Sequence, residues 1–313
     1  MTILIATESW SPEEWRAALL PHAGAREIRL WPEIGDPADI DTVLAWHPPD
    51  GLFERLTNLK AILSLGAGVD HILKKPFLPD VPIARVVDPN MTMRMREWVV
   101  LQTLIHHRRH LAYDAQQREA TWRPIPQPAA SAVRVGMLGL GVLGLDSGRA
   151  LAALGFDVAG WSRTAKPGID FPTFHGADGL DPFLARTDIL ICLLPHTPAT
   201  EGLIDAKLLG KLARDGALGG PVLINAGRGK VQVEADILKA LEDGTLKAAS
   251  LDVFETEPLP EASPLWRHPA VVITPHVAAD SEPAALAAAI MEQVRRCEAG
   301  EAMANLVDRE AGY

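Results

Sequence analysis

The sequence predicts an α/β chain built from two doubly wound parallel sheets. Two observations carry this prediction: short apolar runs alternate with helical stretches along the whole chain, and a glycine-rich turn joins a buried run to a helix near the middle. A third, the length of 313 residues, leaves room for two domains.

In the front part, Ile3 to Ala6, Val43 to Trp46, Ala61 to Ser64 and Ile83 to Arg85 read as short buried strands, and Pro12 to Leu20 and Leu52 to Leu56 as helices. Glu97 to Gln117 reads as one long connecting helix, with Trp98, Leu101, Leu104 and Ile105 at helical spacing. Within it, the run His106-His107-Arg108-Arg109-His110 reads as a solvated or interface face rather than a metal site. Trp122 to Pro128 carries three prolines, which lack the N–H a helix or central strand needs, so it reads as an extended arm. Beyond residue 133, strand-like runs recur at Ile189 to Leu194, Val222 to Asn225, Ala248 to Leu251 and Val271 to Thr274. Glu282 to Ala299 reads as an amphipathic helix that packs back on the first domain, making that domain discontinuous. The expected division is 1–97 with 281–313, and 98–280, the second including the helix and arm over 98–128.

Hydrophobic residues make up 48% of the chain, charged residues 22%, and the net charge is −10. That profile suits a globular protein and argues against general nucleic-acid or anionic-membrane binding. No apolar run is long enough to span a bilayer, and Met1 leads into a strand without a signal-like segment. The two cysteines, Cys192 and Cys297, form neither a disulfide framework nor a metal spacing, which suits a reducing cytoplasm.

The glycine turn is the most specific local signal. Val133 to Leu138 reads as a strand, Gly139-Leu140-Gly141-Val142-Leu143-Gly144 follows at once, and Leu145 to Leu154 continues as a helix. Strand, G-x-G-x-x-G and helix together form a dinucleotide-binding fingerprint, with the phosphates at the helix N-terminus. The next strand, Phe156 to Trp161, lies roughly 20 residues on, where an NAD site usually ends in a carboxylate. Here the end is Trp161-Ser162-Arg163-Thr164, with no carboxylate. Arg163 can pair with a 2′-phosphate, and Ser162 and Thr164 can add hydroxyl donors, so the expected cofactor is NADP(H), with NAD(H) weaker. Arg163 stacked on the adenine and tolerating both cofactors stays open.

Three later strand ends carry unusual polar residues: Asn225-Ala226-Gly227-Arg228-Gly229, Asp252 to Pro258, and Pro275-His276-Val277-Ala278. Ligands bind at strand ends in such sheets. One arginine, one carboxylate and one histidine make a minimum set for reducing a carbonyl beside a carboxylate. The arginine holds the carboxylate and polarises the carbonyl, the histidine gives a proton, and the carboxylate orients the imidazole and favours its charged form.

With these segments, Leu65-Gly66-Ala67-Gly68-Val69-Asp70 and Leu193 to Thr200, the chain resembles the D-isomer-specific 2-hydroxyacid dehydrogenases over nearly its full length. Trp46-His47-Pro48-Pro49, Trp161 to Thr164 and Ser263-Pro264-Leu265-Trp266 carry a finer likeness to the bacterial glyoxylate/hydroxypyruvate reductases. The resemblance implies a Rossmann-type cofactor domain, a flavodoxin-like substrate domain, a homodimer with 98–128 as its dimerisation helix and arm, and a small 2-oxo or 2-hydroxy acid as substrate. It further implies Arg228, Glu257 and His276 as catalytic residues. Arg228 and the N–H groups of Ala67 and Gly68 would hold the substrate, and Trp46 would lie on a loop that closes over it. Met95, Leu194, Pro195, Ala226, Asp252, His276 and Ala278 would join Gly139, Gly141, Val142, Leu143, Gly144, Ser162, Arg163 and Thr164 around the cofactor, with Asp252 on the nicotinamide carboxamide. Two features depart from the family's pattern. Asp146 sits in the first turn of the phosphate-binding helix, where an acid should repel a pyrophosphate unless it points away. Met91, Met93 and Met95 cluster near the expected nicotinamide position. An NAD-dependent dehydrogenase of another 2-hydroxy acid and a nucleotide-sensing regulatory protein without turnover remain open at this stage.

Overall fold

The computed structural model describes residues 1–8 and 10–313. Its first elements are β1 (Thr2–Thr7), α1 (Pro12–Ala23), β2 (Glu27–Leu30), β3 (Ile40–Trp46), α2 (Leu52–Arg55), β4 (Ala61–Ser64), α3 (Asp70–Leu73) and β5 (Ile83–Ala84). There follow α4 (Pro89–His107), α5 (His110–Arg118), β6 (Arg134–Leu138), α6 (Val142–Ala153), β7 (Asp157–Ser162), β8 (Thr173–His175) and α7 (Gly176–Ala185). The last are β9 (Ile189–Cys192), α8 (Ala206–Leu209), β10 (Val222–Asn225), α9 (Glu234–Glu242), β11 (Ala248–Leu251), β12 (Val271–Ile273) and α10 (Pro283–Glu298).

The chain divides into two compact units, Met1–Met91 with Asp280–Tyr313, and Thr92–Ala279. The first boundary falls inside α4, and the second just after the His276 turn. Each unit has its own parallel sheet.

In the first unit the strand order is β2-β1-β3-β4-β5, the flavodoxin-like order. Every residue of β1, β3 and β4 is buried, as expected of parallel strands covered on both faces. One face carries α1 and α10, whose Trp15, Leu19, Leu286, Ile290, Met291 and Val294 pack with Ile3, Ile5 and Leu44. Arg26, just after α1, donates through Nε to Glu298 Oε1 at 2.6 Å, tying the end of α10 to the front of the chain. Among the described residues, no helix is long and apolar enough to cross a membrane.

In the second unit the order is β12-β11-β10-β9-β6-β7-β8, the Rossmann arrangement with a seventh strand added. The switch point lies between β6 and β9, beside the glycine turn. The periodicity leaves out two strands, β2 and β8. Both are sheet edges, short and partly polar (Glu-Ile-Arg-Leu and Thr-Phe-His), so neither forms the apolar run that marks a buried strand.

The single helix expected from Glu97 to Gln117 is two. Arg109 adopts φ 58°, in the left-handed region, and separates α4 from α5. Its guanidinium holds that bend through tertiary bonds, with Nε donating to Pro126 O at 3.1 Å and Nη1 to Leu218 O at 3.1 Å. Leu101, expected on the inner stripe, is exposed; Gln102, Thr103, His106 and His107 are buried instead. Within the histidine run, His106 and His107 thus face inward, while Arg108 and His110 are exposed. His106 Nε2 lies 2.8 Å from Ser250 Oγ, which donates to Gln102 Oε1 at 2.8 Å, so β11 satisfies His106 and Gln102, while Thr103 donates to Val99 O within α4.

Burial, aided by the charge of Lys247, pushes the His106 imidazole down to about 4. The unfolded chain then binds a proton near the ordinary histidine value that the folded protein refuses until about that lower pH. Stability present above pH 6.5 should therefore be lost on acidification toward pH 4, by an amount on the order of 3 kcal/mol. Urea unfolding of the wild type and His106→Gln at both ends of this window checks it. The variant should lack this part of the acid loss, and an identical loss in both proteins contradicts the assignment.

Candidate active site

The glycine turn meets the physical demands of its pattern. Gly139 has φ 110°, which side chains rarely adopt, and its N–H donates to Trp161 O at 3.0 Å. A Cβ on Gly144 would stand 2.0 Å from Gly139 O, so α6 can approach β6 this closely only with glycine there. Gly141, the residue before α6, has nothing within 4 Å of where its Cβ would point. That open space, in front of the first-turn N–H groups of Val142, Leu143 and Gly144, is what a pyrophosphate needs. The residues present thus fit a dinucleotide. Asp146, in the next turn, is paired with Arg96 at 3.4 Å, so its charge is offset within the protein.

At the end of β7, Arg163 and Thr164 are exposed. Ser162 is buried, and its Oγ donates to Thr164 O at 2.8 Å. That bond closes the turn after β7. Met95, Ala226 and Ala278 join one apolar cluster with Leu140 of the glycine turn, and Leu143 packs against it. Leu194, two residues beyond β9, is buried. Pro195 O accepts from Thr200 Oγ1 at 2.7 Å, within the Thr197–Thr200 turn. Of the three methionines, Met91 and Met95 are buried and Met93 is exposed, so they do not form one patch.

The polar residues come together at the ends of β10, β11 and β12. Asn225, the fully buried last residue of β10, shapes the loop that follows: its Oδ1 accepts from Gly227 N at 3.0 Å, and its Nδ2 donates to Gln232 Oε1 at 2.8 Å. Arg228, half-buried, follows, with Nη1 donating to Gly227 O at 2.8 Å. Gly229 passes so close to the next loop that a Cβ on it would stand 1.7 Å from Phe254 O.

His276 has φ 55°, an uncommon conformation for a side-chain-bearing residue. Asp252 imposes it. Its Oδ1 accepts from Thr274 Oγ1 at 2.5 Å and Val277 N at 3.0 Å, its Oδ2 accepts from Ala278 N at 3.0 Å, and its carbonyl accepts from His276 N at 2.8 Å. Trp98 Nε1 donates to Thr274 Oγ1 at 3.1 Å and extends this network into α4. Asp252, expected at a carboxamide, is buried and engaged in holding the histidine turn.

Glu257 Oε2 lies 2.7 Å from His276 Nδ1, while Phe254 N donates to Oε1 at 2.9 Å. Burial pushes the Glu257 carboxyl up. The hydrogen bond and charge of His276, with the Phe254 N–H and the Arg228 charge, outweigh this and hold it below its ordinary value. The ionised carboxylate can only accept, so Nδ1 carries the proton and Nε2 is left to exchange one with a ligand.

In the first unit, Trp46 is the last residue of β3, not part of a loop, and is buried against Trp10 in a stack 4.4 Å apart. Its ring lies where a Cβ on Gly66 would stand, 2.4 Å from the nearest ring atom. Trp46 is therefore a fixed wall beside the Gly66–Gly68 turn rather than a lid. That turn is tied to β4 by Ser64 Oγ, which donates to Gly68 O at 2.8 Å, and Ala67 and Gly68 are half-buried.

Gln232, Glu234 and Glu255, which share hydrogen bonds between these strand-end loops, carry no sequence signal of their own. Gln232, a polar residue between Val231 and Val233, is the nearest to a hint.

Residues 100–278 match the profile described as "D-isomer specific 2-hydroxyacid dehydrogenase, NAD binding domain". The chain is 41% identical, over all of both chains, to glyoxylate/hydroxypyruvate reductase A of Escherichia fergusonii. Among solved structures, it is similar to an NADPH-dependent glyoxylate/hydroxypyruvate reductase from Sinorhizobium meliloti in complex with NADP and sulfate. The identity is 47%, covering 100% of this chain and 99% of that one, with a TM-score of 0.95. A D-isomer specific 2-hydroxyacid dehydrogenase from Xanthobacter autotrophicus in complex with NADPH and MES is 40% identical, at the same coverage, with a TM-score of 0.94. The chain belongs to the D-isomer specific 2-hydroxyacid dehydrogenase family.

Proposed function

We propose that this protein reduces small 2-oxo acids with NADPH, glyoxylate to glycolate and hydroxypyruvate to D-glycerate. The observation that carries the reading is the His276–Glu257 pair, with Arg228 on the adjoining strand-end loop of the same sheet as the dinucleotide turn. Full-length likeness to reductases of these acids supports the substrate class, and the NADP-bound relatives support the cofactor.

When bound, NADPH supplies the hydride to the carbonyl carbon. Arg228 binds the substrate's carboxylate and carbonyl oxygen and draws charge toward that oxygen. His276 Nε2 gives the oxygen its proton, and Glu257 holds the imidazole and stabilises its charged form. One hydride and one proton thus turn the oxo group into a hydroxyl. In the first unit, the N–H groups of Ala67 and Gly68 are suited to a carboxylate, and Trp46 gives that turn a rigid apolar wall. In the second, Gly139, Gly141, Val142, Leu143 and Gly144 hold the phosphates. Arg163 and Thr164 meet the 2′-phosphate, while Met95, Leu194, Pro195, Ala226 and Ala278 line the rest of the cofactor. Trp122, fully exposed on the irregular segment after α5, supports pairing of two copies into a homodimer.

The test is cofactor oxidation with glyoxylate, hydroxypyruvate and pyruvate, using NADPH and NADH side by side. Turnover of the first two with NADPH preferred is expected. Turnover with NADH alone overturns the cofactor assignment, and none with either overturns the reading. Arg163→Ala should weaken NADPH binding by about tenfold, from the loss of one charge-assisted contact, and leave NADH nearly unchanged. Equal losses for both cofactors contradict a 2′-phosphate contact.

A further inference from the structure

Two carboxylates outside the expected set join the strand-end loops. Glu234 opens α9, shortly after Arg228, and its N–H donates to Glu255 Oε1 at 2.6 Å. In return, Glu255 N–H donates to Glu234 Oε1 at 2.6 Å. The residue before α9, Val233, has no capping side chain, so Glu255 caps this helix from a different loop. Glu255 lies between Phe254, whose N–H binds Glu257, and Glu257 itself. Gln232 Nε2 donates to Val253 O at 2.9 Å, a second tie between the same two segments.

We propose that Glu234 and Glu255 are positioning residues, a reciprocal clamp that holds the Glu257–His276 pair in register with Arg228; this rests on the reductase reading above. The clamp joins the two loops next to Glu257, alongside the Gln232–Val253 bond and the close approach of Gly229 to Phe254. The charged groups around the pair are Arg228 on the β10 loop, Glu234 on α9, Glu255 on the β11 loop, and Asp252 beneath the histidine turn. Burial pushes Glu234 up, the Glu255 N–H pulls it back, and the charges of Glu255 and Glu257 push it up again. The backbone N–H groups thus hold together like charges that would otherwise separate. With the clamp cut, the Gln232–Val253 bond still joins the two segments, so the expected effect falls on alignment.

The experiment compares Glu234→Ala and Glu255→Ala with Glu234→Gln and Glu255→Gln. It reads kcat against pH for hydroxypyruvate with NADPH, the Kd for NADPH, and the ring-nitrogen NMR shifts of His276 at neutral pH. The alanine variants should lose about tenfold in kcat, as expected for a loosened catalytic geometry. They should shift the alkaline limb of the profile to lower pH, bind NADPH as the wild type does, and lose the Nδ1–H signature. The glutamine variants, whose amide oxygens still accept, should recover all of these properties. Alanine variants that match the wild type overturn the clamp, and so do glutamine variants as impaired as alanine, which would make charge the cause. If the wild type reduces neither oxo acid, the reductase reading fails by itself. The His276 spectra then decide: the signature lost in alanine and kept in glutamine variants supports the clamp, and the signature kept in all four overturns it.

Discussion

His276→Ala should lower turnover of glyoxylate and hydroxypyruvate by about 10²–10⁴-fold, the range that a positioned general acid contributes. NADPH affinity should change far less, because the phosphate turn and the β7 end lie elsewhere on the sheet. The size of the effect follows from the geometry. Glu257 accepts the Nδ1 proton at 2.7 Å, which leaves Nε2 as the ring nitrogen that would meet a substrate oxygen. Asp252 and three backbone N–H groups hold the turn that carries the ring. With alanine the oxygen can draw its proton only from water, while hydride donation and Arg228 stay in place. Steady-state rates beside a direct NADPH titration make the measurement. Unchanged turnover, or turnover and NADPH affinity falling together, removes His276 from the proton step.

Gly229→Ala should be the most damaging single-methyl change in the second unit. Its Cβ would meet Phe254 O at 1.7 Å, Phe254 C at 1.9 Å and Phe254 Cα at 2.6 Å, all main-chain atoms that no rotamer change can move aside. One of the two loops has to shift. The first carries Arg228 and the second carries Glu257, so either movement breaks the alignment of the site. A stability loss of about 1–3 kcal/mol is expected from the overpacking. A loss of roughly 10²-fold in kcat is expected from misplacement of the catalytic groups. Thermal unfolding and kcat on the same preparation measure both. Wild-type values of each would mean that the loops can separate without cost, which also contradicts the tight approach seen here.

Much of this site is written locally. The glycine turn is legible because its three demands, a left-handed residue, an open backbone and a close helix–strand crossing, all fall within one strand–turn–helix unit. Arg228, Glu257 and His276 are legible because each follows an apolar run whose end must face ligand or solvent. Trp46 misleads for a related reason. The prolines beside it signal a loop, but the tryptophan itself completes β3 and stacks on Trp10, a partner distant in the chain.

Sequence by itself determined the two parallel sheets, the dinucleotide turn and the polar residues at the strand ends, because periodicity and backbone preference act over neighbouring residues. Only the tertiary structure decided which polar groups satisfy one another. His106 is buried because Ser250 reaches it from β11, and Arg109 breaks the long helix because Pro126 and Leu218 offer it carbonyls. Asp252 serves the histidine turn, and Glu234 and Glu255 bind each other's backbone. A buried polar group is tolerated only with a partner, and that partner is supplied by whichever segment the fold brings alongside, which no local pattern encodes.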